Sequence, residues 1–89
     1  MQNRVLLVED DEELRELLSR YLTNQGFTVR EAANGQDGLS LALGQHCDLV
    51  VLDIMLPDIS GLEVLRQLRA KTHLPVVLLT ARGEETDRK

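Results

Sequence analysis

At three places along the chain an acid or a hydroxyl stands directly behind an apolar run. The stretch VVLDIMLPD carries Val50, Val51 and Leu52 straight into Asp53, a carboxylate for which the interior of a buried strand has no use. Val5 to Val8 run into the consecutive acids Glu9, Asp10, Asp11, Glu12 and Glu13, and Val76 to Leu79 run into Thr80. Carboxylates brought within a few ångströms repel one another unless one is protonated or a cation lies between them. A hard divalent ion such as Mg2+, which takes carboxylates, carbonyl oxygens and waters, suits this inventory better than any nitrogen or sulfur site would. With the ion in place the sign of the site inverts and a phosphoryl group can approach. An oxygen of Asp53 could then attack phosphorus in line to give an aspartyl phosphate. Thr80 is placed to hydrogen-bond the new phosphoryl oxygen, and Ala81 is small enough to leave access. Taken singly, each residue has a plainer use: Asp10 or Asp11 as cap of a first helix, Asp53 in a turn, Thr80 as cap before Glu84 and Glu85. The combination at the ends of three apolar runs is what points to phosphoryl chemistry.

Other chemistries find little support. Neither of the glycine-rich phosphate loops, G-x-G-x-x-G or G-x-x-x-x-G-K-[ST], occurs, and the loop behind Val8 would repel a bare phosphate. His46 and His73 are isolated and belong at the opposite strand ends, where surface or structural roles are expected. The single Cys47 has no disulfide or metal partner and reads as a small apolar residue. A net charge of −5 and only two aromatic residues, Tyr21 and Phe27, leave no basic stripe for nucleic acid, so contact with DNA would need a part outside this chain. No window approaches the roughly 20 apolar residues of a membrane span, and no long apolar leader precedes Glu9. A cytoplasmic address is the expectation.

The elements that must position these groups alternate. Arg4 to Val8 reads as a strand, and Leu14, Leu17, Leu18, Tyr21 and Leu22 form a helical apolar stripe behind the acids. Gly26 supplies a left-handed stop, and Phe27 to Ala32 alternates as a strand does. Leu39, Ala42 and Leu43 mark a shorter, weaker helix ending near Gly44. Asp48 to Leu52 suits a strand covered on both faces. Ser60 and Glu63 form a capping box, with Ser60 accepting from the Glu63 amide and Glu63 reaching back, and Leu62, Leu65 and Leu68 follow as the stripe of a third helix. Leu74 to Leu79 is a fourth strand with Pro75 at its entry. Strand and helix in alternation predict a single α/β domain, a doubly wound parallel sheet whose site lies beyond the carboxyl ends of its strands. Glu9, Asp10, Asp53 and Thr80 all fall at that edge.

The strings VLLVEDDEELRELL, VVLDIMLPDISGLEVLRQLR and PVVLLTARGEETDR resemble the receiver domains of two-component response regulators, the last of them especially the OmpR/PhoB type of transcription factor. The resemblance implies a flavodoxin-like fold with sheet order 2-1-3-4-5, a sensor histidine kinase as phosphoryl donor, and Asp53 as acceptor. It further implies Mg2+ held by Asp10, Asp53 and the backbone carbonyl of Met55, with Glu9 acting through water, and Thr80 as a switch hydroxyl. Asp11 rather than Asp10 would cap the first helix, and Pro57 and Gly61 would shape the loop after the acceptor. The module would be a phosphoacceptor switch rather than an enzyme, beyond catalysing its own phosphorylation and dephosphorylation.

Receivers of this family continue into a fifth strand bearing a lysine, a switch aromatic and a fifth helix, none of which precedes Lys89. Residues 1–89 are therefore expected to form a partial receiver with four strands, its DNA-binding effector domain absent from the chain. An apolar Val76 to Leu79 edge left unpaired would favour self-association. Two alternatives stand beside the switch. An Mg2+-dependent aspartyl-phosphate phosphohydrolase usually carries a second aspartate two positions after the first, where this chain has Met55. A fragment that keeps the acidic pocket without being phosphorylated is the other.

Overall fold

A computed structural model describes residues 3–79. The order is β1 (Arg4–Val8), α1 (Glu12–Asn24), β2 (Thr28–Ala32), α2 (Gly35–Gly44), β3 (Leu49–Asp53), α3 (Gly61–Lys71) and β4 (Val76–Leu79). All pairings are parallel, as the alternation predicted, and the strands lie in the order β2-β1-β3-β4, as the family resemblance implied. Right-handed crossovers then send the chain first to one side of β1 and afterwards to the other, which puts α1 on one face and α2 and α3 together on the opposite one.

The core lies between the sheet and the α2/α3 layer. Leu6, Val8, Val50 and Leu52 meet Leu39 and Ala42 of α2 and Val64 and Leu68 of α3, all buried. On the other face Val5 and Leu7 are buried too, so β1 is covered on both sides. Among the described residues β3 is covered unequally, where its unbroken apolar run suggested full cover on both faces: Val50 and Leu52 are buried, whereas Leu49 and Val51 are half-buried. Among the described residues α1 is the one helix on that face, and it packs over β1 and β2 rather than over β3. The same geometry corrects the α1 stripe. Leu14, Leu18 and Leu22 form a half-buried ridge, while Leu17 and Tyr21 are 58% and 59% exposed. Leu43, expected on the inner face of α2, is exposed as well.

The helix ends show why the elements start and stop where they do. The Asp11 carboxylate caps α1 by accepting from the Leu14 amide, as the family pattern implied. Gly26, at φ 99°, takes the left-handed turn after α1, and β2 begins at Thr28, one residue later than the alternation from Phe27 suggested. Ser60 caps α3, but its hydroxyl accepts from the Leu62 amide, and the Glu63 amide goes to the Ser60 backbone carbonyl. The reciprocal half of the expected box is absent because the Glu63 carboxylate is taken by Arg66 Nε at 3.0 Å and Gln67 Nε2 at 2.9 Å. These donors, with the charge of Arg66, hold the Glu63 carboxyl down at about 2.

Candidate functional site

The parallel register brings the carboxyl ends of β1 and β3 side by side, with Val8 opposite Leu52, so Glu9 and Asp10 emerge next to Asp53. One carboxylate oxygen from each of Glu9, Asp10 and Asp53 lies within 4.8 Å of the other two. The placement of the three differs: Glu9 is 3% exposed and Asp53 4%, while Asp10 is open to solvent. Burial pushes the Glu9 carboxyl above its ordinary value; the hydrogen bond from the Asp11 amide opposes this, and the negative charges of Asp53 and Asp10 add to it. Two buried acids and an exposed third, crowded to this degree, are an all-oxygen donor set for a hard divalent cation, which would offset their repulsion.

The surrounding backbone is held by specific contacts. Asp53 Oδ1 accepts from the Met55 amide at 3.2 Å, closing a short turn directly behind the strand. The Gly61 amide donates to the Ile54 carbonyl at 2.8 Å, so the loop returns to within a residue of where it left. A Cβ on Gly61 would stand 2.2 Å from the Asp53 carbonyl oxygen and 2.7 Å from Ile54 Cα, a gap only glycine fits. The expected role of Gly61 in shaping this loop thus has a steric cause. Pro57 lies in the same loop. At the sheet's other border β4 pairs Leu79 with Asp53, and the Ile54 amide reaches the Leu79 carbonyl at 3.3 Å. Thr80 and Ala81, expected next along that strand end, lie outside the described residues.

Arg15 is a contributor that sequence reasoning missed. Its guanidinium donates to the Glu9 carbonyl at 2.8 Å and the Asp10 carbonyl at 3.5 Å, and its Nε meets Glu31 at 3.2 Å. It thereby ties the acidic loop to the first turn of α1 and to β2. The available signal was a lone cation inside a run of acids from Glu9 to Glu16. Asp58 was also missed; its carboxylate reaches across to the start of α2. The histidines stand apart from the acids, with His46 exposed and 3.9 Å from Asp48, and His73 exposed. Cys47 is half-buried against the core, and desolvation followed by the charge of Asp48 pushes its thiol up. It lines a hollow of about 290 Å³ with Arg4, Leu6, Arg30 and Leu41, at the strand ends opposite the acids.

Comparison with known proteins places this geometry in a family. Residues 5–89 match the model of the response regulator receiver domain. The transcriptional regulatory protein SrrA of Staphylococcus aureus is 41% identical over 88 residues, which cover 99% of this chain and 36% of SrrA. The chain thus spans little more than a third of the length of that relative. Among solved structures, the response regulator protein TrrA from Thermotoga maritima in complex with Mg2+-BeF superposes with a TM-score of 0.87 at 39% identity, covering 97% of this chain and 76% of that one. TrrA in complex with the histidine kinase ThkA gives 0.83 at 41%, covering 90% and 70%. The sheet order, the acids gathered at its carboxyl edge and the match over nearly the whole length agree: this chain belongs to the response regulator receiver domain family.

Proposed function

We propose that the chain is the phosphoacceptor module of a two-component relay, with Asp53 receiving a phosphoryl group from a sensor histidine kinase. The observation that carries this reading is the convergence of Glu9, Asp10 and Asp53, two of them buried, at the carboxyl end of a parallel sheet. A bound Mg2+ would neutralise charge on the transferring oxygens. Asp10, Asp53 and the Met55 carbonyl would hold it, with Glu9 acting through water. Two structures of one relative support the donor and the ion: TrrA is seen in complex with a histidine kinase and, separately, with Mg2+-BeF.

In this scheme an Asp53 carboxylate oxygen forms the new O–P bond as the bond from phosphorus to the kinase's imidazole nitrogen breaks. The Met55 amide holds the other Asp53 oxygen, orienting the nucleophile. The Thr80 hydroxyl donates to the phosphoryl oxygen, with Ala81 leaving the approach open, and phosphorylation shifts the population of the segment that follows. The module acts as a switch, not as a turnover enzyme, in the cytoplasm where its kinase donor would act. It comprises residues 1–89 as part of a receiver, and its output passes to a transcription-regulating DNA-binding domain outside this chain, of the OmpR/PhoB type. The naming of SrrA as a transcriptional regulatory protein supports that output. β4, an edge strand among the described residues with Val77 48% exposed, supports pairing with a second copy.

Incubation with Mg2+ and acetyl phosphate, followed by intact mass measurement, tests the reading. One added phosphoryl group is expected, absent in Asp53→Asn and in EDTA. A wild-type protein that adds none, or an Asp53→Asn protein that still does, contradicts it.

A further inference from the structure

The three first-turn amides of α2, those of Gly35, Gln36 and Asp37, are all satisfied, but by two different parts of the chain. Asn34, the cap, accepts from the Asp37 amide through its side chain at 2.8 Å and from the Gly38 amide through its carbonyl at 3.0 Å. The amides of Gly35 and Gln36 go instead to Asp58, each to its own carboxylate oxygen and each at 2.8 Å. Asp58 is remote in sequence and sits in the middle of the loop between the acceptor strand and α3. A carboxylate bonded to two amides at the positive end of a helix is well matched in charge as well as geometry. Ile59 follows the same route: a Cβ on Gly35 would lie 2.5 Å from Ile59 Cγ1, so glycine lets the loop seat directly on the helix start.

Residues 54–60 are thus held at three points. Asp53 Oδ1 holds the Met55 amide, the Gly61 amide closes the base on Ile54, and Asp58 pins the outer bend to α2. Removing the third point takes away the loop's polar attachment to α2 and leaves only the packing of Leu56 and Ile59 on that side, which loosens the position of the Met55 carbonyl relative to Asp53 and Asp10. We infer that Asp58 is a positioning residue for the phosphoryl-transfer site, aligning the acceptor loop through the α2 N-terminus without touching the reacting groups. The inference rests on the phosphoacceptor reading above.

A comparison of Asp58→Ala with Asn34→Ala in the intact protein tests it. Both remove acceptors from the same helix terminus, but only the first releases the loop. Asp58→Ala is expected to weaken Mg2+ affinity, read by calorimetry, and to slow phosphoryl uptake from acetyl phosphate, each on the order of tenfold. Asn34→Ala should lower thermal stability while leaving both values at wild-type level. Asp58→Asn, which keeps one acceptor oxygen, should fall between and serves if the alanine variant does not fold. Equal losses in the Asn34 and Asp58 variants, or no loss in Asp58→Ala or Asp58→Asn while wild type is active, overturn the positioning role. A wild-type protein that takes up neither Mg2+ nor phosphate overturns the phosphoacceptor reading itself.

Discussion

Glu9 and Asp10 are neighbours in the chain and opposites in environment. Strand pairing continues one residue past β1, with the Glu9 amide bonded to the Ala32 carbonyl, and this draws Glu9 inward while Asp10 turns out. Because burial raises the folded Glu9 value above 4.5, the folded protein binds its proton more tightly than the unfolded chain does. In metal-free protein this acid therefore lowers stability as pH rises from about 4.5 through the raised value. Glu9→Gln should flatten that slope in melting curves recorded with EDTA, and should weaken Mg2+ binding. Arg15 is the counterweight. Arg15→Ala strips the Glu9 and Asp10 carbonyls of their donor and should cost about 1–2 kcal/mol in chemical denaturation, with weaker Mg2+ uptake. That Asp53 and Asp10 mattered could be read from their positions behind apolar runs. Which acid would be buried, and that Arg15 would hold the loop, depended on side-chain directions that spacing alone does not specify.

Segment by segment, local chemistry was readable where one residue decides the outcome. Asp11, Gly26 and Ser60 each end or begin an element by a bond or a dihedral that few residue types supply. The capping box failed where two partners competed for one side chain, since Arg66 and Gln67 lie on the same helix face as Glu63 and claim its carboxylate. With the folded Glu63 value held at about 2, its contribution is complete above about 4.5 and lost as pH falls toward 2. Glu63→Gln should accordingly reduce the acid sensitivity of the melting temperature, by a small amount because the group is exposed. Gly61→Ala tests the loop itself. With a Cβ 2.2 Å from a backbone oxygen, something must shift, and a loss of about 1–3 kcal/mol is expected in urea unfolding.

Across the sheet, burial on the α1 face falls from Leu7 at 0% through half-buried Val51 to Val77 at 48% exposed, residues that the register sets side by side. On the α2/α3 face Leu6, Val50 and Leu52 stay buried under two helices, and Leu78 on β4 is half-buried. On the proposed pairing through β4, which is an edge strand among the described residues, Val77→Lys is expected to shift light-scattering mass toward monomer, with little effect on the melting temperature. Unchanged mass would overturn the proposed pairing through β4. The alternation of strands and helices, the parallel sheet and the edge where the acids gather were determined by the sequence by itself, because hydrophobic period and crossover handedness leave few other topologies. Only the tertiary structure decided that β3 is half-covered on one face, that Glu9 is buried beside Asp53, and that Asp58 fastens the acceptor loop to α2. Those outcomes arise from contacts between residues far apart in the chain, whose meeting depends on how layers pack and not on any local pattern.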